Sequence, residues 1–213
     1  MMTDQTKIIA RGDCFKLLAA CFCEPEKDLL IEEHVCENLK NLLSGWASEA
    51  AMAAGEMDLS LKTISQEQLS IDHAALFVGP FELIAAPYGS IYAEGNRLLM
   101  GETTIDVLRF YEDAGLSVDI KEPPDHIAIE LEFMSYLCTK EAESSSDGNY
   151  GEAERYREMQ LQFFRKFLHW VQQFCESIKK GSDNQFYQSL ADCLGRFMVS
   201  CEQIYDKAAT TSA

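Results

Sequence analysis

Apolar side chains recur at helical spacing along almost the whole chain, and this period constrains the fold more than any other feature. Ile127, Leu131, Met134 and Cys138, for example, form one stripe on one face of a helix. No stretch alternates with a period of two for long enough to build a sheet. We therefore expect an all-α fold without an internal repeat. The predicted helical segments are residues 6–23, 27–44, 66–78, 102–114, 124–142, 150–178 and 183–206.

Length and composition are those of a globular protein. The chain has 213 residues, of which 47% are apolar and 25% are charged, so one sizeable core is feasible. We expect a single all-helical domain over residues 1–213, with a hinge near residues 115–123 and a C-terminal helical part over residues 124–206. A second aromatic stripe, Phe163, Phe167, Trp170 and Phe174, is expected in the core.

Charge and hydropathy exclude some classes of partner. The formal net charge of −17 disfavours nucleic acid, because binding a polyphosphate requires cations on the protein. A cationic partner is the natural complement, although acidic residues also serve solubility alone. Lys16, within the apolar stretch from Cys14 to Cys23, argues against a signal peptide, and no uncharged run approaches the length of a membrane span. We expect a cytoplasmic protein without stable membrane insertion.

The eight cysteines are expected to be free thiols. Most of them lie among apolar residues of helical segments, where a reduced thiol behaves as a small apolar side chain. The nearest approach to a zinc motif is Cys21-Phe-Cys23, whose side chains diverge on a helix. We expect neither a structural metal nor a bound cofactor.

Two segments depart from the helical pattern in an informative way. "GPFELIAAPYGSIYAEGN", residues 79–96, is long, rich in aromatic residues and carries only two charges, so it either packs over the core or lines an apolar groove. "EPPDH", residues 122–126, precedes a helix. Pro124 suits a first helical position and Asp125 complements the helix dipole, but neither role explains His126. By contrast, residues 143–152 are predicted to form a polar loop without a function.

Catalytic motifs are not found. No histidine has a glutamate three positions before it, which excludes the Glu-x-x-His motif of di-metal carboxylate bundles. Gly95 and Gly101 lack both the spacing and the lysine of a phosphate-binding loop. No cysteine has a local context that would activate it. We therefore predict that the chain is not an enzyme.

Two motifs carry a resemblance to a known family. "DHAALFVGPFELIAAPYGSIY", residues 72–92, resembles the L-F-x-G-P and P-Y-x-S-x-Y signature of the TorD/DmsD/NarJ family, and "EPPDHIAIELEFM", residues 122–134, resembles its E-x-P-D-H-x-x-x-E-L-x-F-M signature. The two motifs occur in the right order, about thirty residues apart. The N-terminal sixty residues and the C-terminal helices match the family only in outline.

The resemblance implies a dedicated cytoplasmic chaperone with a TorD-like, all-helical fold. Its implied partners are the twin-arginine signal peptide, or a related N-terminal segment, and the apo catalytic subunit of a molybdenum-cofactor oxidoreductase. Such a chaperone supports cofactor insertion and prevents premature export. It is either a monomer or a homodimer that exchanges its C-terminal helices. The implied peptide-binding residues are Phe77, Phe81, Pro87, Tyr88, Ser90, Tyr92, Glu122, Pro124, Asp125 and His126.

The chemistry of these residues suits such a peptide. A carboxylate such as Asp125 could accept a guanidinium group, while Phe81 and Tyr88 could receive the apolar part of the peptide. Two alternatives remain open at this point. One is a helical metal-binding protein or enzyme that uses Glu122, His126 and Glu130, the last two being four residues apart on one helix face. The other is a structural adaptor without a peptide groove.

Overall fold

The computed structural model describes residues 4–79, 83–93, 101–117 and 122–211, and it confirms the all-α prediction. Within these residues every regular element is a helix, apart from one isolated β-bridge between Tyr88 and His126. No helix in this part of the chain is both long enough and apolar enough to span a membrane.

The chain forms two compact units, each built from two separate segments. Unit 1 comprises Met1–Cys23 and Pro87–Trp170, and unit 2 comprises Glu24–Ala86 and Val171–Ala213. In chain order the helices are α1 (Asp4–Ala20), α2 (Lys27–Glu32), α3 (Val35–Leu43), α4 (Ser48–Thr63), α5 (Gln66–His73), a π-helix (Ala74–Val78), α6 (Gly89–Ala93), α7 (Glu102–Asp113), α8 (Ile127–Ser146), α9 (Tyr150–Phe167), α10 (Val171–Gly181) and α11 (Gln185–Thr211). The single domain and its hinge stay predictions, and residues 118–121 of the hinge lie outside the described residues.

In unit 1, α8 packs against both α1 and α9. The predicted stripe from Ile127 to Cys138 is completely buried along α8. Next to it lies a cluster of aromatic rings from α7, α8 and α9, in which the centroid of Phe133 lies 4.5 Å from that of Tyr111 and 4.8 Å from that of Phe163. Offset and edge-on ring pairs of this kind add to the stabilisation that comes from apolar burial.

A buried polar network joins α1, α8 and α9. The Gln160 side chain accepts a hydrogen bond from Arg11 Nη2 at 2.8 Å and donates one to Glu141 Oε2 at 2.7 Å. The same guanidinium lies 3.5 Å from Glu141 Oε2. All three side chains are buried, so they make with one another the hydrogen bonds that exposed side chains would make with water.

In unit 2, α4 packs against α3 and α11, and α10 packs against α11. The buried hydroxyl of Tyr187 on α11 donates to the carbonyl oxygen of Leu69 on α5 at 3.0 Å. Across the whole chain, the eight cysteines are free, and all of them except Cys23 are buried. The expectation of unpaired thiols is confirmed.

Several predicted helix limits differ from the observed ones. The segment 27–44 breaks at His34, which adopts a left-handed conformation with φ 52°. The segment 150–178 breaks after Phe167 into two helices. The predicted aromatic stripe is nevertheless buried as expected. The aromatic residues keep their spacing through the turn, so the pattern gave no sign of the break. Helix α4 was missed because it buries mainly alanines, which give a weak apolar period. The predicted loop at 143–152 is shorter than expected, since α8 continues to Ser146.

The buried network predicts that α1 is sensitive to a change on α9. Gln160→Ala removes one partner from both Arg11 and Glu141, and we expect the free energy of unfolding to fall by about 1–3 kcal/mol. Urea unfolding at pH 7 measures this loss. Gln162→Ala, at an exposed position on the same helix, is the matched control, and an equal loss in both variants would contradict the role of the network.

Candidate functional site

The two non-helical segments meet in unit 1 through main-chain hydrogen bonds. The Gly89 amide donates to the carbonyl oxygen of Asp125 at 2.9 Å, and the Ile127 amide donates to that of Pro87 at 2.8 Å. These two bonds form the antiparallel bridge between Tyr88 and His126. The bridge therefore brings the start of α6 next to the start of α8.

The rings of Tyr88 and His126 pack edge to face across this bridge, with centroids 5.3 Å apart. The Tyr88 hydroxyl donates to Glu122 Oε2 at 3.3 Å. Partial burial, with a smaller contribution from the charge of Glu122, raises the pKa of Tyr88 to about 12. The phenol is therefore neutral at physiological pH and stays a hydrogen-bond donor. Glu122 itself is exposed, whereas both rings are half-buried.

His126 is the N-cap of α8. Its Nδ1 accepts a hydrogen bond from the Ala128 amide at 3.2 Å, as a capping side chain does. The predicted start of this helix at Pro124 is therefore wrong, because the helix begins at Ile127. Pro124 instead lies in the preceding turn, where its carbonyl oxygen accepts a hydrogen bond from the buried Tyr111 hydroxyl at 2.8 Å. Sequence reasoning left His126 unexplained because it placed the cap too early.

Asp125 is fully buried and holds the start of α6. Its Oδ2 accepts a hydrogen bond from the Ser90 amide at 2.8 Å, and Ser90 is buried as well. A carboxylate in this position stabilises unpaired amides at a helix N-terminus. In this conformation solvent does not reach the carboxylate of Asp125, so Glu122 is the acidic group of this segment that a guanidinium can approach.

A stacked pair of rings that the sequence analysis missed lies beside α6. Tyr92 stacks on Trp170, with centroids 5.1 Å apart and an interplanar angle of 20°. The buried Trp170 donates its indole N–H to Glu130 Oε2 at 3.1 Å. A side chain at position 89 would bring its Cβ within 2.8 Å of Trp170 Nε1, so Gly89 permits this close approach. The glycine beside Tyr88 was the one sequence signal of this contact.

The remaining predicted site residues fall elsewhere or outside the described residues. Phe77 is in the core of unit 2, with ring centroids 5.1 Å from His73, 5.8 Å from Tyr187 and 5.9 Å from Phe174. Phe81 lies outside the described residues. Pro87 is buried next to the bridge.

The metal-binding alternative is not supported by the arrangement of its three residues. Glu122 accepts from Tyr88, Glu130 from Trp170, and His126 caps α8. Within the described ranges, no group of three or more His, Cys, Asp or Glu side chains is placed to hold a metal ion.

Comparison with known proteins shows the family. The family model described as nitrate reductase delta subunit matches residues 43–176, and the chain belongs to this family. Its relatives include a chaperone protein TorD from Aliivibrio salmonicida, 28% identical over 66% of each chain. Another is a probable Tat proofreading chaperone DmsD from Haemophilus influenzae, 28% identical over 59% of this chain and 56% of that one. The resemblance to the TorD/DmsD/NarJ family is confirmed.

A third relative is a selenate reductase assembly chaperone protein from Thauera selenatis, which is 40% identical over 40% of this chain and 46% of that one. The chain spans just under two thirds of the length of its TorD relatives: the match covers 66% of the Aliivibrio salmonicida protein and 62% of the one from Vibrio parahaemolyticus. These relatives are named chaperones rather than catalysts, in agreement with the prediction that this chain is not an enzyme.

The fold also has a counterpart among solved structures. The crystal structure of a candidate redox enzyme maturation protein from Archaeoglobus fulgidus matches with a TM-score of 0.57 and 22% identity. The match covers 86% of this chain and 91% of that one. At this level of identity the match establishes the shared helical fold.

The close approach at Gly89 predicts a specific sensitivity. Gly89→Ala places a Cβ against the indole nitrogen of Trp170, so the ring must move away from Glu130, and we expect a loss of about 1–3 kcal/mol in the free energy of unfolding. Urea unfolding measures it. Gly151→Ala on α9 is the control, because a Cβ there meets no atom within 4 Å and alanine favours a helix. Equal stability of the two variants would refute this role for Gly89.

The two acidic residues of the second motif are expected to behave differently. Asp125→Ala removes the buried acceptor of the Ser90 amide and is expected to lower the free energy of unfolding by about 1–3 kcal/mol. Glu122→Ala changes an exposed side chain and is expected to have an effect below about 0.5 kcal/mol. Thermal or urea unfolding distinguishes the two, and similar losses would contradict the assignment.

Proposed function

We propose that this chain is a dedicated chaperone that binds the twin-arginine signal peptide, or a related N-terminal segment, of an apo molybdenum-cofactor oxidoreductase subunit. In this role it supports cofactor insertion and delays export of the unfinished subunit. Its place of action is the cytoplasm, where such a subunit is made. It acts as a monomer or as a homodimer that exchanges C-terminal helices, and it functions as one all-helical domain.

The observation that carries this proposal is the exposed Glu122 carboxylate beside the ring pair of Tyr88 and His126. All three residues belong to the two family motifs, and hydrogen bonding and ring packing hold them together. A carboxylate accepts a guanidinium through two parallel hydrogen bonds, and aromatic faces attract cations and apolar side chains. The arrangement therefore suits a segment that has arginines followed by apolar residues.

Two further facts support the proposal. The names of two relatives refer to Tat proofreading and to assembly of selenate reductase. The formal net charge of −17 favours the approach of a basic peptide, with an effect that weakens as salt rises. Asp125, Ser90 and Pro87 would contribute indirectly, since they hold the two segments together rather than face solvent.

Peptide binding by defined variants tests the proposal. Glu122→Gln is expected to weaken binding of a labelled twin-arginine peptide about three- to tenfold in 50 mM salt, because it removes an exposed charge partner of arginine. Fluorescence anisotropy measures the dissociation constant. Glu158→Gln, which removes an exposed charge on α9, is the control and should leave it unchanged.

The peptide itself provides a second arm of this experiment. Replacement of both arginines by lysine keeps the charge but removes the planar guanidinium, so affinity should fall again. If the protein binds neither peptide, or binds both equally in every variant, a structural adaptor without a peptide groove would be the better interpretation.

A further inference from the structure

Asp125 and Glu130 occupy a special pair of positions at the start of α8. Because His126 is the N-cap, Asp125 precedes the cap and Glu130 is the fourth residue of the helix. Side chains at these two positions pack against each other in many helices, where both are normally apolar and form a hydrophobic staple. Here both positions carry carboxyl groups, and both are fully buried.

Each carboxyl group has one oxygen that is paired and one that is not. Asp125 Oδ2 accepts from the Ser90 amide, and Glu130 Oε2 accepts from the Trp170 indole. Asp125 Oδ1 and Glu130 Oε1 have no hydrogen-bond partner among the described residues. Buried polar atoms are rarely left in this state, because each of them loses its hydration without gaining a hydrogen bond in return.

One proton shared between these two oxygens would give each of them a partner. We propose that Glu130 is a positioning residue of the candidate site, and that as a neutral acid it donates its proton to the buried carboxylate of Asp125 while it accepts the indole N–H of Trp170. This polar staple would hold Trp170, the stacked Tyr92 and the first turn of α6 in place beside the bridge. The inference deepens the proposed function, on which its link to peptide binding rests.

The surroundings of Glu130 favour the neutral form. Burial above all, and then the charge of Asp125, raises the pKa of Glu130 well above its usual range. Tyr111 of α7 lies in the same environment, where burial and then the charges of Glu130, Asp125 and Glu132 raise its pKa. The Tyr111 phenol therefore stays neutral and adds no charge beside Glu130.

Titratable and charged groups from the other packed elements do not alter this picture. From α1, Arg11 pairs with Glu141, which is roughly 16 Å along α8 from Glu130 at 1.5 Å per residue. From α9, Gln160 contacts Glu141 and Phe163 contacts Phe133 on α8, and both of these α9 side chains are uncharged. Tyr92 of α6 stacks on the indole, Tyr88 donates to Glu122, and His126 accepts the Ala128 amide.

The sign of the pH dependence follows from the raised pKa. In the unfolded chain a glutamate loses its proton near pH 4.3, whereas in the folded protein Glu130 keeps it to a higher pH. Between these two values the folded state holds one proton more, so stability falls as pH rises. Each pH unit in this window lowers the folding equilibrium constant by up to tenfold, and the contribution is complete below the unfolded value.

The first test compares unfolding across pH. Glu130→Gln keeps an acceptor for Trp170 and an N–H donor for Asp125 but cannot ionise. We expect this variant to gain stability over the wild type as pH rises above 5, until Glu130 of the wild type has lost its proton in the folded state as well. Glu132→Gln, at an exposed position on the same helix, should follow the wild type. A constant difference between Glu130→Gln and wild type over this range would overturn the proposal.

The second test needs no change at Glu130. In a Trp46→Phe background Trp170 is the single tryptophan, and its indole N–H gives one resonance in a ¹⁵N-labelled sample. We expect this resonance to shift with a midpoint well above pH 5, and the shift to vanish when Glu130→Gln is added. A midpoint at about 4–5, the ordinary carboxyl range, would overturn the proposal.

Peptide binding separates this inference from the proposed function. If both hold, the affinity for a twin-arginine peptide falls less between pH 6 and pH 8.5 in Glu130→Gln than in the wild type. If no variant binds the peptide, the proposed function fails, yet the unfolding profile and the indole titration still decide whether the polar staple exists. If peptide binding by the wild type and by Glu130→Gln depends on pH in the same way, the link between the polar staple and the candidate site is refuted.

Discussion

The antiparallel bridge between Tyr88 and His126 is the contact on which the arrangement of the site depends. Two main-chain hydrogen bonds, Gly89 to Asp125 and Ile127 to Pro87, join the two segments, and no other strand pairing supports them within the described residues. An isolated bridge is weak by itself, so neighbouring side chains must hold it. Asp125 and Tyr111 do so through buried hydrogen bonds to Ser90 and Pro124, next to the bridge, and Trp170 bonds Glu130 in the first turns of α8.

The site therefore combines a buried polar interior with a small exposed edge. The interior consists of groups that are expensive to bury, and Asp125, Glu130 and Tyr111 each make one buried hydrogen bond there, to a main-chain amide, an indole and a carbonyl respectively. The edge presents Glu122 and the ring pair of Tyr88 and His126. Such a division separates residues that maintain geometry from residues that a ligand can contact, and it explains why one short motif contains both a buried and an exposed acid.

The sequence predicted the fold class and the meeting of the two motifs, because helical period and motif letters are local signals. It did not predict α4, whose buried face is mostly alanine, nor the break before Val171, where the aromatic spacing continues without interruption. Of the predicted site residues, Tyr88, Glu122 and His126 do lie together, but Asp125, which was expected to be accessible, is buried. Burial depends on contacts between distant segments. Asp125 bonds Ser90, 35 residues away in the chain, and Glu130 bonds Trp170, 40 residues away.

The two-segment construction of each unit has a consequence for synthesis. Helix α1 packs against α8, which begins roughly a hundred residues later, so closing this contact carries the entropy cost of a long loop. On a ribosome α1 emerges before α8, so its apolar face stays exposed until α8 is made. During that interval, the protein that is proposed to shield an unfinished enzyme has an unprotected surface of its own.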